Sequence, residues 1–487
     1  MKKILYILTI FTVFCISCSE DWLELRPTTQ IVSTESIKTI KDAGYAINGI
    51  YSTFQSYEYY GARMQYYGDV TGDDMQATGT NKRSSDFYMM MTNTDNIYTS
   101  LWALPHRVIR YANNILSQID ALTVKTTELA QRDDIKGQAL AIRALALFDV
   151  TRVYGYTYLK DNGASLGGCV ITGIAEPNYQ PSRNTVGECY DQVIKDLTDA
   201  IPLLQEKKNN GKINKWAAKS LLSRVYLYKG DNANALTQAE EAIAGALANG
   251  YRLWTNDEYA TGTNSWKASL TTEGLFEVIN NPSDRAGNDG IAYLMYSTGY
   301  NDIILTSDFV TLLDEDPLDV RHNLTKLDTT SSSSYNKQWN IDSPIYLLKY
   351  TGPDPTDVRN GNVTVLRLSE TYLNAAEAAV KLSDNTKAIA YLNPIVNRAN
   401  PANTVTGTVT LAQVIKERRK ELVGEGHRQF DALRNNETIV RIGGWHIPNL
   451  IDGVKSYNRD YFHSILPVPK YEMDANPNMQ QNPGYSL

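Results

Sequence analysis

The run NKWAAKSLLSRVYLYKGDNANALTQAEEAIAGA, residues 214–246, decides the fold. Ala217, Leu221 and Val225 recur four residues apart with Ala218 and Leu222 beside them, so they share one face of a helix. Lys229, Gly230 and Asp231 break that pattern. Beyond the break Ala235, Ala239, Ala242 and Ala246 recur at spacings of three and four, a narrow stripe of small side chains that lets a second helix lie close against the first. The run predicts an antiparallel helical hairpin. One such hairpin cannot bury its own apolar face, so the chain must contain others.

Small residues facing Leu, Val and Tyr at this length resemble one tetratricopeptide unit, a helix-turn-helix repeat of about 34 residues. Working outward, more helices of the same texture emerge. Ile37, Ile40, Ala43, Ile47 and Tyr51 form a stripe whose helix is expected to start near Ser33 or Thr34, where a hydroxyl can cap it. LWALPHRVIRYANNILSQIDAL follows at 101–122, with Pro105 as a kink or a start, and pairs with 128–155, where Ala139, Ile142, Ala146 and Val150 repeat. GECYDQVIKDLTDAIPLLQEK leads into the first hairpin, and VLRLSETYLNAAEAAVKL, AIAYLNPIVNRA and LAQVIKERRKELVGEGHRQFDAL continue the pattern near the C-terminus. Helical periodicity is lost over about 55–96 and 251–365, where GLFEVIN and IYLLKY read as strands. The expected fold is mostly α: a tetratricopeptide-like α-α superhelical scaffold over about 33–54, 97–250 and 366–435, carrying a large irregular, short-strand insertion. Residues 33–487 are expected to form a single domain.

The N-terminus does not belong to that fold. Lys2 and Lys3 precede an apolar run, Ile4 to Phe14, too short to span a bilayer, and Ser17 is the small residue expected before a cleavage point. Cleavage before Cys15 would put bulky Phe14 in the small position, so residues 1–17 read as a lipoprotein signal peptide, Cys18 as the lipid-bearing residue and 18–32 as a tether. An ordinary secretory signal is the alternative. Ser19, Glu20 and Asp21 resemble the surface-export signal of Bacteroidetes lipoproteins, which implies the outer face of the outer membrane. Cys169 and Cys189 remain in the mature chain, paired or free.

Composition excludes several classes. With 47 basic against 54 acidic residues and no dense basic stretch, nucleic acid is not an expected partner. The five histidines, 106, 322, 427, 446 and 463, include no i, i+4 pair, and neither a nucleophile elbow nor a phosphate-cradling glycine loop is present. No enzyme activity and no cofactor is expected; calcium is conceivable at the carboxylates 73–74 or 314–316 but no motif supports it. The motif KERRKELVGEGHRQFDALR concentrates charge, and helical spacing pairs Glu417 with Glu421 and Arg428 with Asp431, which reads as buried ion pairs fixing the end of the array.

Several stretches together resemble the SusD/RagB family of outer-membrane nutrient-binding lipoproteins: CSEDWLELRP, LWALPHRVIRYANNIL, VLRLSETYLNAAEA, KERRKELVGEGHRQFDALR and the terminal NPGY, in the family's order. The resemblance implies a tetratricopeptide-like scaffold whose irregular segments build the ligand face. It also implies a lipid-anchored, cell-surface binding protein that hands an oligosaccharide, or in one branch a peptide, to a SusC-like TonB-dependent transporter. It brings no catalytic residues.

Tyrosine is abundant, 32 against 9 Phe and 7 Trp, which suits surfaces that are both flat and hydrogen-bonding. Sugar rings present C–H faces rimmed by hydroxyls, so a sugar site wants aromatic platforms beside polar groups. Trp339 and Trp266 are the leading candidates, followed by Tyr296, Tyr293, Tyr335 and Tyr67, with Asp73 and Asp74 as polar partners. Trp102 and Trp216 lie on helices and are assigned to packing. A tetratricopeptide adaptor and a secreted hydrolase are the alternatives from other classes.

Overall fold

A computed structural model describes residues 36–79, 81–90, 100–176, 178–208, 210–327, 344–443, 446 and 454–485. The leader, Cys18 and the tether lie outside the described residues.

Helix α1, Ile40–Phe54, starts later than Ser33 or Thr34 because Thr39 and Asp42 form a reciprocal capping box at its N-terminus. It is followed by α2, Arg63–Val70; α3, Ser100–Gln118; α4, Leu129–Tyr154; α5, Val186–Ala200; α6, Lys215–Lys229; and α7, Asn232–Ala248. The array resumes with α8, Leu368–Lys381; α9, Asn385–Ala399; α10, Leu411–Leu422; and α11, Arg428–Arg434. From α3 to α9 each packs on the next, α8 docking on α7 across the insertion, and α10 then packs against α8. The helices α3 and α4 also support α1. The prolyl residue Pro105 lies inside α3, which continues through it.

The central hairpin forms as its spacing requires. Asn214 caps α6 by accepting from the Ala217 N–H, Gly230 ends it at φ 83°, and Asp231 caps α7 by accepting from the Asn234 N–H. Ala235, Ala239, Ala242 and Ala246 are all fully buried. Beside Ala246 on the same helix, a Cβ on Gly245 would stand 2.1 Å from the Trp216 indole, so the smallest residue of α7 seats the largest of α6.

Short antiparallel strands tie the irregular segments to the array. In chain order they are β1, Met75–Ala77; β2, Gly274–Val278; β3, Ile303–Leu305; β4, Thr325–Leu327; β5, Ile345–Leu347; and β6, Val363–Arg367. They pair as β1–β3, β2–β6 and β4–β5. Met75 faces Leu305, which binds the 55–96 segment to the insertion, and Gly274 faces Arg367, which returns the chain to α8.

A buried ionic cluster locks the insertion onto the array. Arg367 donates to Glu273 at 2.7 Å, Glu421 at 2.6 Å and Glu425 at 2.6 Å. Arg398 reaches Glu273, Lys349 reaches Glu425, and Arg321 reaches Glu417 and Asp319. Guanidiniums buried this deeply are tolerated only because each faces carboxylates. The charged motif is therefore structural, with two changes of partner. Glu417 pairs with Arg321 and not with Glu421, which as a second carboxylate has no attraction for it. Asp431 pairs with Arg418 and Arg434, while Arg428 turns away to Asp73 at 2.5 Å. Cys169 and Cys189 are buried free thiols whose burial pushes them up to about 12 and about 11. Among the described residues no helix is long and apolar enough to cross a membrane.

Candidate functional site

Among its described residues the insertion presents an aromatic ridge to solvent. It begins with the short helix Ile291–Met295, whose Ile291, Ala292, Leu294 and Met295 are buried, leaving Tyr293 as the half-exposed member. The Ile291 N–H donates to the Gly61 carbonyl at 2.8 Å and fixes the helix against the 55–96 segment. The chain then folds back: Gly299 N–H donates to the Tyr296 carbonyl, and Tyr300 N–H donates to the Tyr293 carbonyl, both at 2.9 Å. Only glycine fits at 299, since a Cβ there would lie 2.1 Å from the Tyr293 carbonyl oxygen. This reversal sets Tyr300 edge-on to Tyr293, with ring centroids 5.2 Å apart at 82°.

Two guanidiniums bracket the pair. Arg83 lies over Tyr300 at 3.9 Å, and Arg359 stands 5.8 Å from the Tyr293 centroid. The dipeptide Asn288-Asp289 ties them together: Asp289 accepts from Arg83 Nε at 2.6 Å, and Asn288 Oδ1 accepts from Arg359 Nη1 at 2.7 Å. Asp357 accepts from Arg359 Nε at 2.6 Å and from Arg285 Nη1 at 2.6 Å, and the Arg359 hydrogen bond leads in holding its carboxyl well below the usual range. Beneath the ridge Asp302 accepts from the Arg83 N–H; burial pushes its carboxyl above the usual value against the pull of Lys82 and Arg83. Tyr296 borders the ridge, half-buried, with Lys326 Nζ 5.7 Å from its ring centroid. Flat faces and fixed guanidinium N–H donors thus lie on one held surface, which can stack a ring and hydrogen-bond its rim.

Residues 21–227 match a family model described as starch-binding associating with outer membrane, and residues 320–485 match the model of the SusD family. A putative sugar binding protein from Bacteroides vulgatus, known from its crystal structure, is 46% identical, with 93% of this chain and 100% of that chain covered at a TM-score of 0.86. The chain belongs to the SusD/RagB family. SusD-like protein P2 from Formosa agariphila is 26% identical over 530 residues, 99% of each chain. Surface glycan-binding protein A from Bacteroides thetaiotaomicron, solved with laminarihexaose, shares the fold at a TM-score of 0.69 and 19% identity, covering 91% of this chain and 100% of that one.

Within this SusD/RagB chain the structure brings together two of the residues singled out by sequence, Tyr293 and Tyr296, and removes others from the surface. Trp266 is 3% exposed, wedged edge-on between Trp254 at 5.1 Å and Tyr350 at 5.3 Å, with Lys349 4.8 Å from its ring. Tyr67 is 1% exposed and packs on Phe87 and Phe430. Neither ring can serve as a platform, because both faces are buried in the core. Asp73 and Asp74 are engaged by Arg428 and Arg419 and are buried, so they hold the array's end instead of facing a ligand. Trp339 and Tyr335 lie outside the described residues.

Arg83, Asp289, Tyr300 and Arg359 were missed by the sequence reading. They come from three segments far apart in the chain, and no local spacing joins them; only the Tyr-rich run AYLMYSTGY hinted at Tyr300. Among the described residues no group of three or more His, Cys, Asp or Glu is placed to hold a metal ion.

Proposed function

We propose that this SusD/RagB protein is a cell-surface binding protein that captures oligosaccharides and passes them to a SusC-like TonB-dependent transporter without altering them. The observation that carries the reading is the Tyr293–Tyr300 pair, held by a backbone reversal and bracketed by Arg83 and Arg359. A pyranose stacked on such a surface meets an aromatic face with its C–H groups and fixed guanidinium donors with its hydroxyls. The laminarihexaose complex of a protein with the same fold supports a glycan as cargo.

In the same reading residues 1–17 are a signal peptide, Cys18 carries the lipid, 18–32 form the tether, and 33–487 act as one domain on the outer face of the outer membrane. No cofactor is required, so binding persists in EDTA.

The test is a retention screen of the detergent-solubilised mature chain against plant, host and microbial polysaccharides beside a peptide mixture, followed by product analysis of any glycan retained. Retention of one glycan class, unshortened, is the expected result. Peptide binding with no glycan retained would move the protein to the peptide branch of the family, and shortened product would contradict a purely binding role.

A further inference from the structure

The charges around the ridge narrow the class of glycan, an inference that rests on the carbohydrate reading above. Each of its three tyrosines carries a cation on its ring: Arg83 on Tyr300, Arg359 on Tyr293 and Lys326 on Tyr296. These cations are not equally occupied. Arg359 is fully engaged, with Nε and Nη2 on Asp357 and Nη1 on Asn288. Arg285 is likewise held, by Asp357 and Asn360, and Lys82 by the Tyr300 carbonyl and Asp302.

Two cations retain capacity. The Arg83 side chain is 41% exposed; its Nε donates to Asp289 and its Nη1 makes a longer ion pair with Asp302 at 3.6 Å, so among the described residues its terminal nitrogens keep their hydrogen-bonding capacity. Exposed Lys326 has no carboxylate within salt-bridge distance among the described residues. The acids that contact these cations, and Asp354 beside them, are already committed: Asp302 is buried under Lys82 and Arg83, Asp289 holds Arg83, Asp357 holds two guanidiniums, and Asp354 accepts from Thr356 and Asn360. No acid of this group is left to face a ligand, whereas two cations are.

A site for neutral sugars gains little from cations set against its stacking rings. For a charged sugar the arrangement is apt, because a ring packed beside these tyrosines brings an exocyclic carboxylate or sulfate within reach of the cations that lie over Tyr296 and Tyr300. We infer that the ridge takes an acidic oligosaccharide, one bearing carboxylate or sulfate groups, with Lys326 and the terminal nitrogens of Arg83 receiving the anionic substituents. Carboxylate and sulfate share this chemistry and are separated by the choice of probe.

The experiment uses affinity electrophoresis and calorimetry of the mature chain with polygalacturonate and its methyl ester, a sulfated galactan and its desulfated form, and laminarin as an unrelated neutral glycan. Expected is binding to one of the acidic polymers, weaker binding to its neutral counterpart, and affinity that falls as sodium chloride is raised toward 0.5 M, roughly the point where screening reaches across a few ångströms. Lys326→Gln and Arg83→Gln should each weaken that binding roughly fivefold, the upper range for an exposed charge pair. Whichever acidic arm binds identifies the anionic group. Binding of a neutral glycan as tight as that of any acidic one overturns the inference and leaves the carbohydrate reading in place. Acidic binding indifferent to both substitutions overturns the assignment to this ridge, and binding of no glycan overturns the carbohydrate reading as well.

Discussion

Glu370 stands on α8, the helix with which the array resumes after the insertion, and Arg224 of α6 holds both its oxygens, at 2.6 and 2.5 Å. Each side chain of the pair is 2% exposed, and Arg418 stands 3.7 Å from Glu370 as a second guanidinium. Burial by itself pushes the Glu370 carboxyl up, but the charges of Arg224 and Arg418 and the Arg224 hydrogen bonds outweigh it and hold the group at about 2. Against the ordinary value of 4.5, that favours the ionised form in the fold by roughly 3 kcal/mol. The substitution Glu370→Gln keeps the shape and removes the charge, leaving Arg224 buried without its counter-ion, a change that costs about 3–5 kcal/mol. Urea unfolding at pH 7 should therefore show a loss of about 3–5 kcal/mol.

Acid supplies the control. The folded value lies below the unfolded one, so the stabilisation is fully present above pH 4.5 and is lost as pH falls from there through about 2. The advantage of wild type over Glu370→Gln should shrink across that window. Replacing both partners, as Arg224→Met with Glu370→Leu, should recover most of the loss, because no orphaned charge is left. A loss below about 1 kcal/mol at pH 7, or an advantage unchanged down to pH 2, would refute the claim that this buried ion pair stabilises the packing of α8 on α6.

Gly299→Ala should leave the unfolding midpoint near wild type but abolish glycan binding by calorimetry, since a Cβ 2.1 Å from the Tyr293 carbonyl forces the reversal open; unchanged affinity would show that the reversal does not set the site. Trp266→Ala should do the opposite, destabilising by about 3–5 kcal/mol in urea while folded molecules bind with wild-type affinity, because the ring lies in the core at 3% exposure. A large affinity loss with little destabilisation would return Trp266 to the ligand face.

The helical array was legible wherever local spacing determines burial. The alanine stripe from Ala235 to Ala246 could only pack closely against a neighbour, and Gly230 and Asp231 supply the turn between the two helices. The charged motif likewise reads as structural, because so many arginines and glutamates on one helix need partners. Which partners they take was not legible. Asp73 lies 355 residues before Arg428, and helical spacing offered the nearer but wrong Asp431. The aromatic segments show the same boundary. A tyrosine in polar, aperiodic sequence is equally suited to a core sealed by buried ion pairs and to a ligand face, and Tyr67 and Tyr293 carry no local mark that separates them. What separates them is tertiary: Tyr67 meets Phe430 across the chain, whereas Tyr293 is the member of its short helix left half-exposed.

Carbohydrate binding is assigned to the Tyr293–Tyr300 ridge. Its most direct test is titration calorimetry of the retained glycan into wild type, Tyr293→Ala and Tyr300→Ala, with far-ultraviolet circular dichroism to confirm that the array is intact. Removing either stacking ring should weaken binding by about 1–3 kcal/mol, roughly five- to 150-fold, with the helical signal unchanged. Wild-type affinity in both variants would place the glycan elsewhere on the protein.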